Sequence, residues 1–286
     1  MRAAWLILLL LSAGGQRVSA AELAARTAVS LAPSLTELVF ALGLGDRLVG
    51  RSSACDYPPE AQALPVLGDF GRPNWEALLQ AKPALVLATD LEKPGLLRRL
   101  EGQGIQARLL PCESWKDLME AARVISRELG DEDAGRRWVT AMETRRAALK
   151  QRVETFYAAR ERPRVYLEVW GDPPMTAGRP SFADDLITLA GGRNIAAALD
   201  RRYVATSTEW IMTEDPDAIV VAYMTTHAPA LERMAQRPGW DRLRAVRENR
   251  ICATINPDWL LRPGPRMLDG AEALAEWLMK QERNAQ

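Results

Sequence analysis

The sequence predicts an α/β protein: two Rossmann-like lobes, each built on a central, mainly parallel sheet, joined by one long backbone helix. Three observations lead there. One phrase occurs twice: Asn74-Trp75-Glu76 through Lys82-Pro83 runs into the apolar stretch 84–88, and Ser207-Thr208-Glu209 through Asp215-Pro216 runs into 217–222. Glu76 to Glu209 and Pro83 to Pro216 are both 133 positions. Between the copies, 131–162 holds no proline and only one glycine, Gly135. On both sides of that stretch, strand-like and helix-like segments alternate, which is the pattern of lobes with mainly parallel sheets.

The elements follow in order. Residues 1–20 read as a cleaved leader: Arg2 is the positive start, 5–11 the apolar core, and Val18-Ser19-Ala20 the small-residue cleavage site. That apolar run is too short to span a bilayer comfortably. No cysteine stands at the cleavage point, so no lipid anchor is expected. In the N-terminal lobe (21–130), strands are expected near 27–32, 47–52, 84–88 and 106–111. Helices are expected near 34–42, 74–81, 93–103 and 114–129. Pro33-Ser34 opens the first of these helices and Gly43 follows its end; Pro180-Ser181 and Gly191 repeat that arrangement in the second lobe. Each repeated phrase begins with an N-cap residue type, carries Glu two residues on, and stops at a charged residue before proline. The linking helix is expected over 131–162, with Trp138, Met142, Leu149, Val153 and Phe156 at steps of 4, 7, 4 and 3 on one apolar stripe. Twenty-five or more helical residues span roughly 40 Å, enough for a spine across both lobes. In the C-terminal lobe (163–286), strands are expected near 164–170, 217–222 and 250–255, and helices near 181–190, 207–214, 227–236 and 264–282.

Composition removes several classes of function. Arg2 and Arg17 belong to the leader, which leaves 35 basic against 37 acidic residues, with no electrostatic footprint for nucleic acid or an anionic membrane. After the leader, no segment is long and apolar enough to cross a bilayer. Three cysteines (Cys55, Cys112, Cys252) without a CxxC pair make neither a disulfide framework nor a metal centre. One histidine, His227, cannot supply a zinc or manganese site, and no GxSxG accompanies it to make a serine hydrolase. The protein is therefore read as an exported, monomeric binder and not as an enzyme, without cofactor or metal.

A family resemblance sharpens this. The runs 28–37 (AVSLAPSLTE), 43–50 (GLGDRLVG), 55–60 (CDYPPE), 73–88 and 258–266 (DWLLRPGPR), in this order and spacing, resemble the helical-backbone substrate-binding proteins of ABC importers. The likeness covers essentially all of 27–282 and is strongest to members that bind cobalamin. It implies a periplasmic protein with two lobes on one long helix, small opening motions, and a ligand held between the lobes for delivery to a permease dimer in the inner membrane. The residues that match the corrinoid-contacting set are Tyr57, Phe70, Met175, Tyr203, Asp258, Trp259 and Arg262. Met175 stands at an aromatic position of the family, and Thr89 where cobalamin binders carry tryptophan. In the family one Glu per lobe docks on permease arginines, which assigns that role to Glu76 and Glu209. The family strand order 2-1-3-4 sets Cys55 and Cys112 three strand spacings apart, roughly 14 Å, too far for a disulfide.

The residues themselves support a binder. Phe70 lies six positions before Glu76 and Tyr203 six before Glu209, so two aromatics occupy equivalent places in the two repeats. Facing each other, with Tyr57 and Trp259 nearby, they make a slot for a large flat ligand. Asp258 and Arg262 suit amide or phosphate groups at its rim. Trp170 fits either cleft wall or core. Glu76 and Glu209 also suit helix capping, since each sits in a first turn. The alternative ligands are haem, with Tyr57, Tyr203, Tyr223 or His227 as axial candidates, and a ferric siderophore, with Arg72, Arg179 and Arg262 facing its anionic shell.

Overall fold

The computed structural model describes residues 26–90, 95–223, 234 and 236–284. The segment 1–20 expected as a leader and His227 lie outside these residues, as does most of the helix expected over 227–236.

The N-terminal lobe runs β1 (Ala28–Ser30), α1 (Pro33–Ala41), β2 (Leu48–Arg51), β3 (Gly68–Asp69), β4 (Arg72–Pro73), α2 (Trp75–Ala81), β5 (Leu85–Ala88), α3 (Leu96–Glu101), β6 (Gln106–Leu109) and α4 (Trp115–Glu128). Its sheet has the order β2-β1-β5-β6, all parallel, with Val29 opposite Val86 and Val86 opposite Ala107. Every residue of the two central strands is buried, because helices cover both faces. Cys55 and Cys112 follow the two edge strands, and all three cysteines are buried free thiols. Burial pushes the Cys112 thiol up to about 12, despite a hydrogen bond from Ser34.

The linking helix α5 (Glu132–Phe156) is capped by Asp131, whose carboxylate accepts from the Ala134 amide at 2.8 Å. Met142, Leu149 and Val153 of the predicted stripe are buried, and Trp138 and Phe156 pack against the same core. The helix stops six residues before the expected Arg162. Tyr157 turns into the core, and Pro163 holds the preceding residue out of helical geometry, so the chain bends directly into the next strand.

The C-terminal lobe contains β7 (Arg164–Gly171), β8 (Pro174–Ala177), α6 (Phe182–Leu189), β9 (Arg193–Asn194), β10 (Tyr203–Ala205), α7 (Thr208–Glu214), β11 (Ala218–Val221), α8 (Arg244–Arg247), β12 (Ile251–Cys252), α9 (Pro257–Leu261) and α10 (Met267–Asn284). The sheet order is β10-β8-β7-β11-β12, with β9 beside the start of β7. Strands β7, β11 and β12 are parallel, while β8 and β10 extend the sheet antiparallel. These two strands depart from the sequence expectation. Their residues are too few to show alternation, and they pair only because β7 turns back on itself at 172–173.

The sequence repeat is also a structural repeat. Asn74 accepts from the Ala77 amide at 3.1 Å and Ser207 from the Trp210 amide at 3.2 Å. Each cap is followed by a seven-residue helix, α2 or α7. Both helices end in a left-handed residue before proline, Lys82 (φ 44) and Asp215 (φ 38). Gly43 (φ 76) and Gly191 (φ 94) close α1 and α6 in the same hand, where a Cβ would be strained.

One apolar cluster runs through both lobes: Leu35 and Leu38 of α1, Leu118 and Ile125 of α4, Leu149 and Val153 of α5, Leu186 and Ile187 of α6, and Leu274 and Leu278 of α10. Helix α10 packs against α5, α6 and α9. The expected consequence is a single cooperative unfolding transition. Leu149→Ala, at a side chain only 3% exposed, should cost about 2–5 kcal/mol. It should shift that transition without splitting it in urea melts followed by both tryptophan fluorescence and circular dichroism. Two separated transitions would show that the lobes fold independently.

Candidate functional site: the cleft between the lobes

Four aromatic side chains are exposed among the described residues, Tyr57 and Phe70 in the N-terminal lobe and Trp170 and Tyr203 in the C-terminal lobe. Phe70 is at the tip of the β3–β4 hairpin, 40% exposed; the turn is completed by Gly71 at φ 71, a conformation few side chains accept. Tyr203 begins β10 and is 38% exposed. Trp170 is 50% exposed near the end of β7, with its indole N–H donating to the Asp172 carbonyl at 2.8 Å, so it belongs to the surface and not to the core. Met175 is paired in register with Ala205 on one side and Trp170 on the other. The antiparallel strands missed in the sequence therefore set Met175 beside Trp170 of the middle strand, with Tyr203 two residues from Met175's partner Ala205 on the edge strand β10.

Tyr57 has a different situation. The Arg266 guanidinium lies over its ring, 3.9 Å from the centroid, so one face of the ring is already occupied from the opposite lobe. Around that stack is a cluster of five charges. Arg262 forms a two-pronged bond to Asp56 (2.6 and 3.2 Å), and reaches Asp258 at 3.2 Å and Glu37 at 3.5 Å. Arg266 forks onto Glu37 at 2.6 and 2.8 Å and approaches Asp258 at 3.7 Å. Glu37 and Asp56 come from the N-terminal lobe; Asp258, Arg262 and Arg266 come from the C-terminal one. Arg262, expected as a free ligand contact, thus serves first to tie the lobes together. Glu37 is 3% exposed, and without both arginines it would be a buried, unpaired carboxylate.

A second cross-lobe tie lies at the end of β5. Arg202 reaches Asp90 at 3.2 and 3.3 Å and Glu113 at 3.5 Å. Burial raises the Glu113 carboxyl above its ordinary value, against the pull of Arg202. Burial and the nearby Glu113 also push the Tyr203 hydroxyl well above the phenol range, so it stays protonated. Asp90, Glu113 and Arg202 were not singled out in the sequence. Nothing local marks them, because their importance arises only when the lobes meet.

Trp259 is not with the slot. It is half-buried against the core and lines a depression with Ala273, Trp277 and Lys280 of α10. Its carbonyl lies where a Cβ on Gly270 would come within 2.5 Å, so α9 sits directly on the α10 backbone. The repeated glutamates are exposed in their first turns; Glu76 accepts from Gln80 at 3.3 Å. Hydrogen bonds from its own backbone and from Ser207 lower the Glu209 carboxyl.

This geometry can be compared with known proteins. A family model described as periplasmic binding protein matches residues 29–257. The chain belongs to that family. A substrate-binding lipoprotein of an ABC transporter in Bacillus subtilis (strain 168) is 31% identical over 253 residues, covering 87% of this chain and 78% of the relative. The vitamin B12-binding protein of Vibrio cholerae is 30% identical over 252 residues, 87% of this chain and 88% of the relative. Among solved structures, the periplasmic vitamin B12 binding protein BtuF of Vibrio cholerae aligns with a TM-score of 0.77 at 28% identity, over 90% of this chain and 98% of that one. The periplasmic heme-binding protein RhuT from Roseiflexus sp. RS-1 aligns with a TM-score of 0.79 at 27% identity, over the same shares. The binding protein therefore has the two-lobed architecture of its family.

The Asp56 tie is sensitive to acid. The hydrogen bond from Arg262 holds the Asp56 carboxyl below its ordinary value of 3.8, outweighing partial burial. A carboxyl depressed in the folded state stabilises that state above its unfolded value, and the contribution fades as pH falls through the folded one. Asp56→Asn should therefore lower the melting temperature at about pH 6, with the gap to the parent closing by about pH 2.5. An offset that stays constant across that range would show that the pair does not couple to folding.

Proposed function

We propose that the protein is exported, captures a corrinoid of the cobalamin class between its lobes as a monomer, and hands it to an ABC permease. What supports this reading is that both lobes carry exposed aromatics, Phe70 in the first and Tyr203 and Trp170 in the second, while the cross-lobe arginines already face carboxylates. A flat, amide-rimmed ligand uses aromatic faces and hydrogen-bond acceptors. An anionic siderophore shell needs free cations instead; Arg262 is held by Asp56 and Arg179 lies 3.7 Å from Asp184, which leaves the exposed Arg72 of the three candidates. Haem needs an axial ligand. Of the described tyrosine candidates, Tyr223 is buried and bonded to Glu168 and Arg237. Tyr57 and Tyr203 are exposed, which keeps haem as the second reading, together with the likeness to a heme-binding protein. No catalytic role is assigned to any residue.

Titration of the purified protein with cobalamin, haem and a ferric siderophore, followed by tryptophan fluorescence, decides among these. Cobalamin is expected to bind, and Phe70→Ala and Tyr203→Ala are each expected to weaken it by about 1–2 kcal/mol, roughly 5–30-fold, with the fold intact. Preferential binding of haem, lost in Tyr57→Phe or Tyr203→Phe, would replace the corrinoid reading with the second one.

The permease-facing acids are Glu76 and Glu209. They lie at matching points of two like-built helices, and both are exposed. Two such acids engaging two permease arginines act through effective concentration, so one loss weakens docking more than a single exposed ion pair would. Glu76→Gln and Glu209→Gln should leave ligand affinity unchanged and reduce uptake in cells; normal uptake by the double variant would leave these residues with capping alone.

A further inference from the structure

Strand β7 carries an acid, Glu168, between the apolar Leu167 and Val169, and that acid is 0% exposed. A carboxylate in such a place weakens the fold unless its oxygens are met by donors. Four donors meet them. The Arg237 guanidinium forks onto the two oxygens at 2.7 and 3.0 Å, and the hydroxyls of Tyr166 and Tyr223 donate one to each. Burial, followed by the charge of Glu168, pushes both hydroxyls well above the phenol range, which keeps them protonated as donors.

Three stretches of chain are joined here: β7, the end of β11 at Tyr223, and the stretch leading into the short turn Trp240–Arg242. Arg237 also lies over the Trp240 ring, 4.5 Å from its centroid, and that ring meets Tyr166 edge to face. A buried ion pair is weak evidence of stabilisation, because apolar residues of similar volume often do as well. What the fork supplies is a defined position.

The part it positions is the turn from β7 into β8. A Cβ on Gly171 would come within 2.7 Å of both Arg237 Nη2 and the Tyr223 hydroxyl, so the guanidinium and the phenol abut the backbone at the last residue of β7. Gly171 directly follows Trp170 and is paired with Pro174, while Trp170 is paired with Met175. The β7–β8 register shifts between Glu168 and Trp170, an irregularity of the kind that re-aims a side chain. The abutment at Gly171 lies just beyond that irregularity.

We propose that Arg237 is a positioning residue for ligand binding: forked onto Glu168 and braced by Tyr223, it holds the backbone at Gly171 and thereby sets Trp170 and Met175 for the ligand. It touches no ligand itself. The binding part of this assignment rests on the corrinoid reading; the effect on the turn does not.

The test uses the double variant Glu168→Gln with Arg237→Met, and Gly171→Ala. The double variant buries no charge, and the Gln amide still accepts from one tyrosine hydroxyl and donates to the other, so it should melt close to the parent temperature. Its amides over 169–176 should nevertheless exchange with deuterium about tenfold faster or more, with the rest of the chain unchanged. Its affinity for cobalamin should fall about fivefold or more. Gly171→Ala keeps both charges but drives a methyl against Arg237 and Tyr223, and the same two losses are expected. A double variant that melts, exchanges and binds like the parent would overturn the proposal and leave the pair a structural one. Should the double variant not fold, parent-like exchange over 169–176 in Gly171→Ala would overturn it equally. If the parent itself does not bind cobalamin, the corrinoid reading fails, and the exchange measurements still decide whether Arg237 sets the turn.

Discussion

The architecture depends on an apolar core that does not stop at the lobe boundary. In many two-lobed proteins each lobe closes its own core and the connection between them is a strand or a loop. Here Leu149 and Val153 of the linking helix are buried in the same cluster as Leu38 of one lobe and Leu186 of the other, and Leu274 and Leu278 of α10 close it from below. Separating the lobes widely would expose that surface at about 25 cal/mol per Å². Wide separation of the lobes is therefore disfavoured.

Against that fixed apolar base, the charged residues set how the cleft mouth is held. The five-charge cluster around Arg262 and Arg266 and the smaller one around Arg202 both join side chains from opposite lobes. Each has one more acid than base, so neither offers an unclaimed positive charge to an anionic guest. Exposed ion pairs contribute little individually, but Glu37 is buried, and its two arginines keep it from being an isolated charge in a low-dielectric site.

Much of the fold was legible in the sequence because its signals are local. The N-caps Asn74 and Ser207, the stop residues before Pro83 and Pro216, and the stripe along α5 each depend on a few neighbouring residues, and each has its structural counterpart. The short strands β8 and β10 were not legible: four and three residues do not establish a period, and their pairing is decided by a turn in another segment. The same limit governs the site. Phe70 and Tyr203 are proposed through the repeat and both are exposed, and Glu76 and Glu209 sit in exposed first turns. Arg262 was found too, but its engagement with Asp56, 206 positions away, is a property of the assembled lobes. Asp90, Glu113 and Arg202 escaped notice for that reason, and Trp259 turned to α10 because α9 leans on that helix.

That last contact also ranks which parts of the chain share a fate. With no side chain on Gly270 to hold them apart, α9 rides on the backbone of α10 as a single rigid piece. The same piece carries Asp258 at one end of the short helix and Arg262 just beyond the other. Helix α10 is in turn bound to the linking helix through Arg145, which grips Asp269 and Glu272 at 2.8 Å each. The charged corner is thus referenced to the spine as well as to the core of its own lobe. Small changes along the last helix are therefore transmitted to that corner.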